Sequence, residues 1–174
     1  SMEVFRLSKS FCGCIAPSEL RSLRRCVVDA EKIYQRYLNG DVQGWDAVVV
    51  TVASERQAEA CEAELEERHQ SGVLPKRTVA FASADPDGVR VGSGTATIRA
   101  LRLVEQKLGL AGRKVLIVHS GGDSRRVPFH SQSGKVFARL PRLREDGRPA
   151  CVFDLLMMSL IGLSERFSEG VVVA

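Results

Sequence analysis

Aromatic residues make up only 6% of this chain, with a single tryptophan and two tyrosines. They do not interleave with basic residues, so nothing resembles a platform on which nucleic-acid bases stack. The five cysteines are odd in number and irregularly spaced, which excludes a disulfide framework. Cys12-Gly13-Cys14 is too tight for a zinc knuckle, and no paired Cys/His set follows it. Free thiols in a reducing cytoplasm are the reading that remains, with metal binding as its alternative. No apolar run approaches the roughly 20 residues needed to span a bilayer. The stretch from Met2 to Cys14 has no apolar core of a signal peptide; its serines with Arg6 and Lys9 faintly suggest a transit peptide, against which stand Glu3 and Glu19.

The rest describes one globular unit. A length of 174 residues suits a single domain, and 44% hydrophobic content is enough for a core. Net charge is +4, with basic residues gathered late at Arg125, Arg126, Lys135, Arg139, Arg142, Arg144 and Arg148. Such a patch beside a glycine loop suits a small polyanion better than a duplex. No nucleic-acid or membrane partner is expected.

Pattern along the chain predicts alternating helices and strands. Pro17-Ser18 opens a helix with apolar residues at helical spacing from Leu20 to Leu38, stopped by Asn39-Gly40. It reads as docked on a core, or alternatively as a partner-binding helix. Ala47 to Val52 is a β-branched run suited to a strand buried on both faces. Ser54-Glu55-Arg56-Gln57 is a capping box. Thr78 to Ala82 is the next strand, and Asp85-Pro86-Asp87-Gly88 is turn chemistry. Gly92-Ser93-Gly94-Thr95-Ala96-Thr97 opens a further helix, and Lys114 to Val118 is a third strand. A polar, basic loop is expected from Ser120 to about Pro149, then a largely buried helix from Phe153 to Phe167 and a buried strand from Val171. The expected fold is α/β, Rossmann-like, with a mostly parallel sheet, helices on both faces and ligands at the strand carboxyl ends. Ending at Ala174 within such a strand, the chain reads as an incomplete piece of a longer polypeptide. Residues 1–40 read as an N-terminal helical extension, and 41–174 as the front of the main domain.

Two glycine loops fall on one side of that sheet. In the first, Gly92-Ser93-Gly94 precedes a helix, so backbone N–H groups can meet an anion or a base edge. Thr97 stands where a dinucleotide fingerprint has its third glycine; a plain helix-capping turn is the alternative. The second follows His119-Ser120 and runs Gly121-Gly122-Asp123-Ser124-Arg125-Arg126-Val127-Pro128, with Gly134-Lys135 beyond. Paired glycines permit close approach, arginine offers a bidentate fork and lysine a point charge. Val136 after Lys135 excludes a P-loop. The remaining shape suits nucleotidyl transfer, with a solvated basic loop as the alternative. His119 reads as a structural histidine or a ligand contact, and His130 as loop surface. Ser124 has no evident His/Asp pair to make it a nucleophile. Asp123 alone is thin evidence for a metal.

These segments resemble the L-fucose-1-phosphate guanylyltransferase (GDP-fucose pyrophosphorylase) family, some members of which carry a sugar kinase. The resemblance rests on Trp45 to Thr51, Asp85 to Gly88, Val91 to Thr97, His119 to Pro128, Gly134 to Phe137 and Leu140-Pro141, in matching order and spacing. Thr95 departs from the family's usual Gly or Ala. The resemblance implies transfer of GMP from GTP to a sugar 1-phosphate, L-fucose 1-phosphate or one as similar as D-arabinose 1-phosphate, in the cytoplasm. It implies Arg126 on the triphosphate and Lys135 at the phosphorus under attack. Gly121, Gly122, Asp123, Ser124 and Arg125 would line the phosphates, and Gly92, Ser93, Gly94 and Thr97 the nucleoside pocket. Magnesium is implied too, its ligand expected beyond Ala174, so the piece alone is expected to turn over little. The partners implied are the two substrates and the rest of the parent polypeptide. A non-catalytic nucleotide-sugar or protein-binding module is the alternative, and a kinase would lie in a separate domain.

Overall fold

The computed structural model describes residues 17–89, 91–120, 134–144 and 146–174. Its centre is a strand that needs no polar face. In β1 (Ala47–Val52) every residue is buried. β2 (Val79–Ala84) lies on one side of it, and β3 (Lys114–His119) on the other, with β6 (Gly170–Val173) beyond β3. The order is β2-β1-β3-β6 and every pairing is parallel. Successive side chains point to opposite faces, so Val48, Val50, Val52, Leu116 and Val118 join one core cluster. Ala47, Val49, Val115 and Ile117 join another. Burial on both faces is what the β-branched runs require.

Helices cover both faces, as expected. α2 (Glu55–Gln70) begins where the Ser54 side chain accepts from the Gln57 N–H at 3.3 Å, and buries Ala58, Cys61 and Leu65 in the first cluster. α3 (Gly92–Leu108) buries Ala100 and Val104 in the second. α4 (Val152–Ser164) returns to the first face through Phe153, Met157 and Ile161. The step from β1 to β2 and the step from β3 to β6 run in opposite directions, yet α2 and α4 cover the same face. The two connections therefore have opposite hands, against the strong right-handed rule for βαβ units. The second is no simple crossover: it carries a 3₁₀ turn (Lys135–Phe137) and an antiparallel hairpin of β4 (Arg139–Leu143) and β5 (Pro149–Cys151) before α4.

α1 (Pro17–Asn39) packs along α4, with Tyr37 fully buried and Ile33, Tyr34 and Leu38 against the same cluster, so it is core-docked. The Tyr37 hydroxyl donates to Thr78 Oγ1, which donates to the Trp45 carbonyl at 2.8 Å. Gly44 sits opposite that ring at φ +67°, where a Cβ would lie 2.1 Å from Tyr37 Cδ2 and 3.1 Å from Ile161 Cδ1. Gly44→Ala should cost about 2–4 kcal/mol, from the left-handed backbone and overpacking together. Denaturant titration measures this, and a loss below about 1 kcal/mol would contradict the packing.

Three expectations are corrected. The loop expected from Ser120 to Pro149 holds the 3₁₀ turn and the hairpin. Pro141 sits inside β4, where a proline argues against a strand, but β4 pairs with β5 alone and the register breaks between Arg139 and Leu143. β6 is not a buried strand: Val171 and Val173 are 42% and 49% exposed, because β6 lies at the edge of the described sheet and only Val172 packs inward. The last helix ends at Ser164, short of Phe167, whose ring packs on Trp45 at 6.1 Å. No helix among the described residues is long and apolar enough to cross a membrane.

Candidate functional site at the strand carboxyl ends

The chain leaves β1 toward β2 and leaves β3 toward β6, so the connections part at the carboxyl ends of two adjacent strands. In doubly wound sheets ligands bind in that crevice. Thr51 and His119 face each other there in register. Thr51 Oγ1 lies 2.6 Å from His119 Nδ1, and Thr97 Oγ1 lies 3.1 Å from His119 Nε2. Thr97 donates its one proton to the Ser93 carbonyl at 2.9 Å, so it accepts from Nε2–H. In the neutral ring Nδ1 then accepts from Thr51. His119 is thus a structural histidine that ties the first turn of α3 to the ends of β1 and β3.

That tie brings the first glycine loop into the crevice. Gly92 (φ +77°) and Gly94 are exposed, and a Cβ on either would meet nothing within 4 Å. Open space therefore lies at a helix N-terminus, where the first N–H groups lack helical partners and attract anions. Ser93 is exposed beside them, and Thr97 is partly buried.

The second loop begins and ends at one point. Ser120 N–H donates to the Thr51 carbonyl at 3.0 Å. Gly134, at φ +84°, lies so close that a Cβ would be 2.0 Å from Ser120 Oγ. Lys135 follows at once, exposed, as the first residue of the 3₁₀ turn. Among the described residues it forms no ion pair. Gly121, Gly122, Asp123, Ser124, Arg125, Arg126 and His130 lie outside the described residues.

The expected late basic patch is corrected at four of its seven residues. Arg139 pairs with Glu64 at 3.1 Å, Arg142 with Glu31 at 2.7 Å, and Arg144 with Glu67 at 2.6 Å and Asp146 at 2.7 Å. Arg148 also pairs with Glu67. These four arginines clamp the hairpin to α2 and α1 and do not form a patch for a polyanion. Hydrogen bonding from Arg144, against the opposing effect of burial and with help from Arg148, lowers the Glu67 carboxyl from 4.5 to about 2. A lowered folded-state pKa favours folding above the ordinary value, and that contribution is lost as pH falls through the folded one. Stability should therefore drop between pH 4.5 and about 2. Glu67→Gln should flatten that segment of the stability–pH curve, and an unchanged slope would contradict the pairing.

Sequence reasoning missed Thr51, Ser120 and Arg68. Thr51 did leave a signal, as the polar residue of the run Ala-Val-Val-Val-Thr-Val. Arg68 left a partial one in its spacing of four from Glu64, but its partners Asp154 and Cys151 are distant in sequence, as Gly134 is from Ser120. The magnesium implied by the resemblance finds no ligand set here: no group of three or more His, Cys, Asp or Glu among the described residues is placed to hold a metal.

The chain resembles known proteins over part of its length. Residues 107–174 match the fucose pyrophosphorylase domain. A bifunctional fucokinase/GDP-fucose pyrophosphorylase of Arabidopsis thaliana is 38% identical over 127 residues, covering 60% of this chain and 12% of that protein. Fucose-1-phosphate guanylyltransferases of Mus musculus and Homo sapiens are 37% and 36% identical over 99 residues, each covering 56% of this chain, and 17% and 16% of those proteins. The chain thus spans less than a fifth of the length of these relatives. No solved structure matches it. The segment that matches the fucose pyrophosphorylase domain, residues 107–174, runs from the end of α3 through β3, the hairpin and α4 to β6.

Proposed function

We propose that the protein of which this chain is a part transfers GMP from GTP to L-fucose 1-phosphate, or to a sugar 1-phosphate as similar as D-arabinose 1-phosphate. A phosphate oxygen of the sugar 1-phosphate attacks the α-phosphorus, the α–β phosphoanhydride bond breaks, and pyrophosphate leaves with the bonding pair. The products are a GDP-sugar and pyrophosphate. The observation that carries this reading is the Thr51–His119–Thr97 chain, which holds the Gly92 loop at the point from which the Gly121 loop departs.

Each assigned residue has a physical reason. Gly121 and Gly122 offer backbone donors with close approach, and Asp123, Ser124 and Arg125 line the same loop. Arg126 forks onto the triphosphate. Lys135 stabilises the charge that develops at the α-phosphorus, while Gly92, Ser93, Gly94 and Thr97 shape the nucleoside pocket. Magnesium belongs to the proposal as the companion of GTP, with no ligand assigned in this chain. The unpaired thiols of Cys26, Cys61 and Cys151 support a reducing compartment, the cytoplasm.

Equilibrium binding to the full-length protein tests the nucleotide. GTP should bind saturably and be displaced by GDP-fucose but not by ATP at equal concentration. Equal displacement by ATP would remove the guanine assignment.

A further inference from the structure

Arg68 is a fully buried arginine with no part to play in touching substrate. Its side chain is 0% exposed. Nε donates to Asp154 Oδ1 at 2.7 Å. Nη1 donates to the Glu64 carbonyl at 2.8 Å and to Glu64 Oε2 at 2.9 Å. Nη2 donates to Cys151 Sγ at 2.9 Å and to Asp154 Oδ2 at 3.3 Å. A guanidinium has five N–H donors, and all are used. Asp154 also accepts the Cys151 N–H at 2.8 Å, which starts α4. The plane of the guanidinium is therefore fixed by α2 on one side and by the β5–α4 junction on the other.

What this fixed plane presents is a face to two rings. Its central carbon lies 5.0 Å from the centre of Phe137 and 5.7 Å from that of Phe153. The rings stack on each other at 5.3 Å and 27°. Phe137 is the last residue of the turn that Lys135 begins, and is 3% exposed. The turn is closed by Phe137 N–H to the Gly134 carbonyl at 3.2 Å and Ala138 N–H to the Lys135 carbonyl at 3.0 Å. Its other end is set by the close approach of Gly134 to Ser120. Lys135 is thus exposed at its side chain and clamped at its backbone from both ends.

A buried ionic cluster is weak evidence for stability, because apolar replacements often do as well. Its best-attested use is to select one arrangement. We propose that Arg68 is a positioning residue for Lys135, acting through Phe137 to hold the lysine backbone in register with the strand-end crevice. The proposal rests on the reading of Lys135 given above. Cation–π attraction between a desolvated guanidinium and a ring supplies the coupling.

The test is a double-mutant cycle in the full-length protein, read as pyrophosphate release with GTP and fucose 1-phosphate. Arg68→Met should lower kcat about 10–100-fold, as a displacement of a reacting group by about 1 Å does. The KM for GTP should stay within about threefold, since a group acting only in the transition state leaves ground-state binding alone. In a Lys135→Ala background the same substitution should cost less than about threefold, because residues acting as a unit are not additive. Phe137→Leu leaves every Arg68 hydrogen bond in place and should show the same pattern, so it carries the test where Arg68→Met does not fold. A full additional loss in the Lys135→Ala background, or a change in KM alone, would overturn the positioning role while the transferase reading stands. A Lys135→Ala enzyme with intact turnover would overturn the lysine assignment and Arg68 with it. Absence of pyrophosphate release from the wild-type protein would overturn the transferase reading on which both rest.

Discussion

Asp154→Ala should destabilise the fold by about 3–5 kcal/mol, the cost of breaking a buried ion pair from one side. Asp154 supplies two of the five acceptors around the fully buried Arg68 guanidinium, at 2.7 and 3.3 Å. Its removal leaves two N–H donors without partners inside the protein. Glu64 remains at 2.9 Å, but it is already shared with Arg139. The Cys151 N–H also loses its acceptor. A domain has only about 5–15 kcal/mol to lose, so the variant should sit near the edge of folding. The paired change Arg68→Met with Asp154→Leu should recover most of the loss, because it removes the charge together with its partner. Urea titrations of the two variants decide this. A loss under about 1 kcal/mol for Asp154→Ala would mean that water, and not Asp154, satisfies Arg68.

The second large effect is functional. Lys135→Ala in the full-length protein should reduce turnover by about 10²–10³-fold, the range for removing one preorganised group that stabilises transition-state charge. GTP binding should change little. Lys135 stands one residue beyond the Gly134–Ser120 contact, at the end of the sheet where the connections from β1 and β3 part, and no described carboxylate neutralises it. Its exposure excludes a structural role in the core. Lys135→Arg restores the charge but replaces a compact ammonium with a wider planar fork, so partial recovery is expected. Single-turnover kinetics, compared with equilibrium GTP affinity, separate the two effects. An equal loss in both would make Lys135 a binding group, and wild-type pyrophosphate release would remove it from the mechanism.

Legibility in the sequence followed the range of the forces involved. β1 and β3 are visible because burial on both faces demands consecutive apolar, mainly β-branched residues, and Val48-Val49-Val50 and Val115-Leu116-Ile117-Val118 provide them. The start of α2 is visible because Ser54 and Gln57 are three residues apart. The hairpin is not visible. Pro141 argues against β4, and what holds it is Arg144 on Glu67, 77 residues away. β6 shows the opposite failure: three consecutive valines read as buried, yet an edge position exposes two of them. At the site, the pairing of Gly134 with Lys135 was legible, but the reason for the glycine was not, since Ser120 lies across the whole intervening loop. The same holds for Thr51, whose partner His119 is 68 residues distant.

The crevice at the carboxyl ends of β1 and β3 is proposed to serve guanylyl transfer. Pyrophosphate release by the full-length protein, with GTP, fucose 1-phosphate and magnesium, tests it most directly. Release should require both substrates, equal GDP-fucose formed mole for mole, and fall about 10²–10³-fold in Lys135→Ala. Release from GTP without the sugar phosphate, or none with both present, would contradict it.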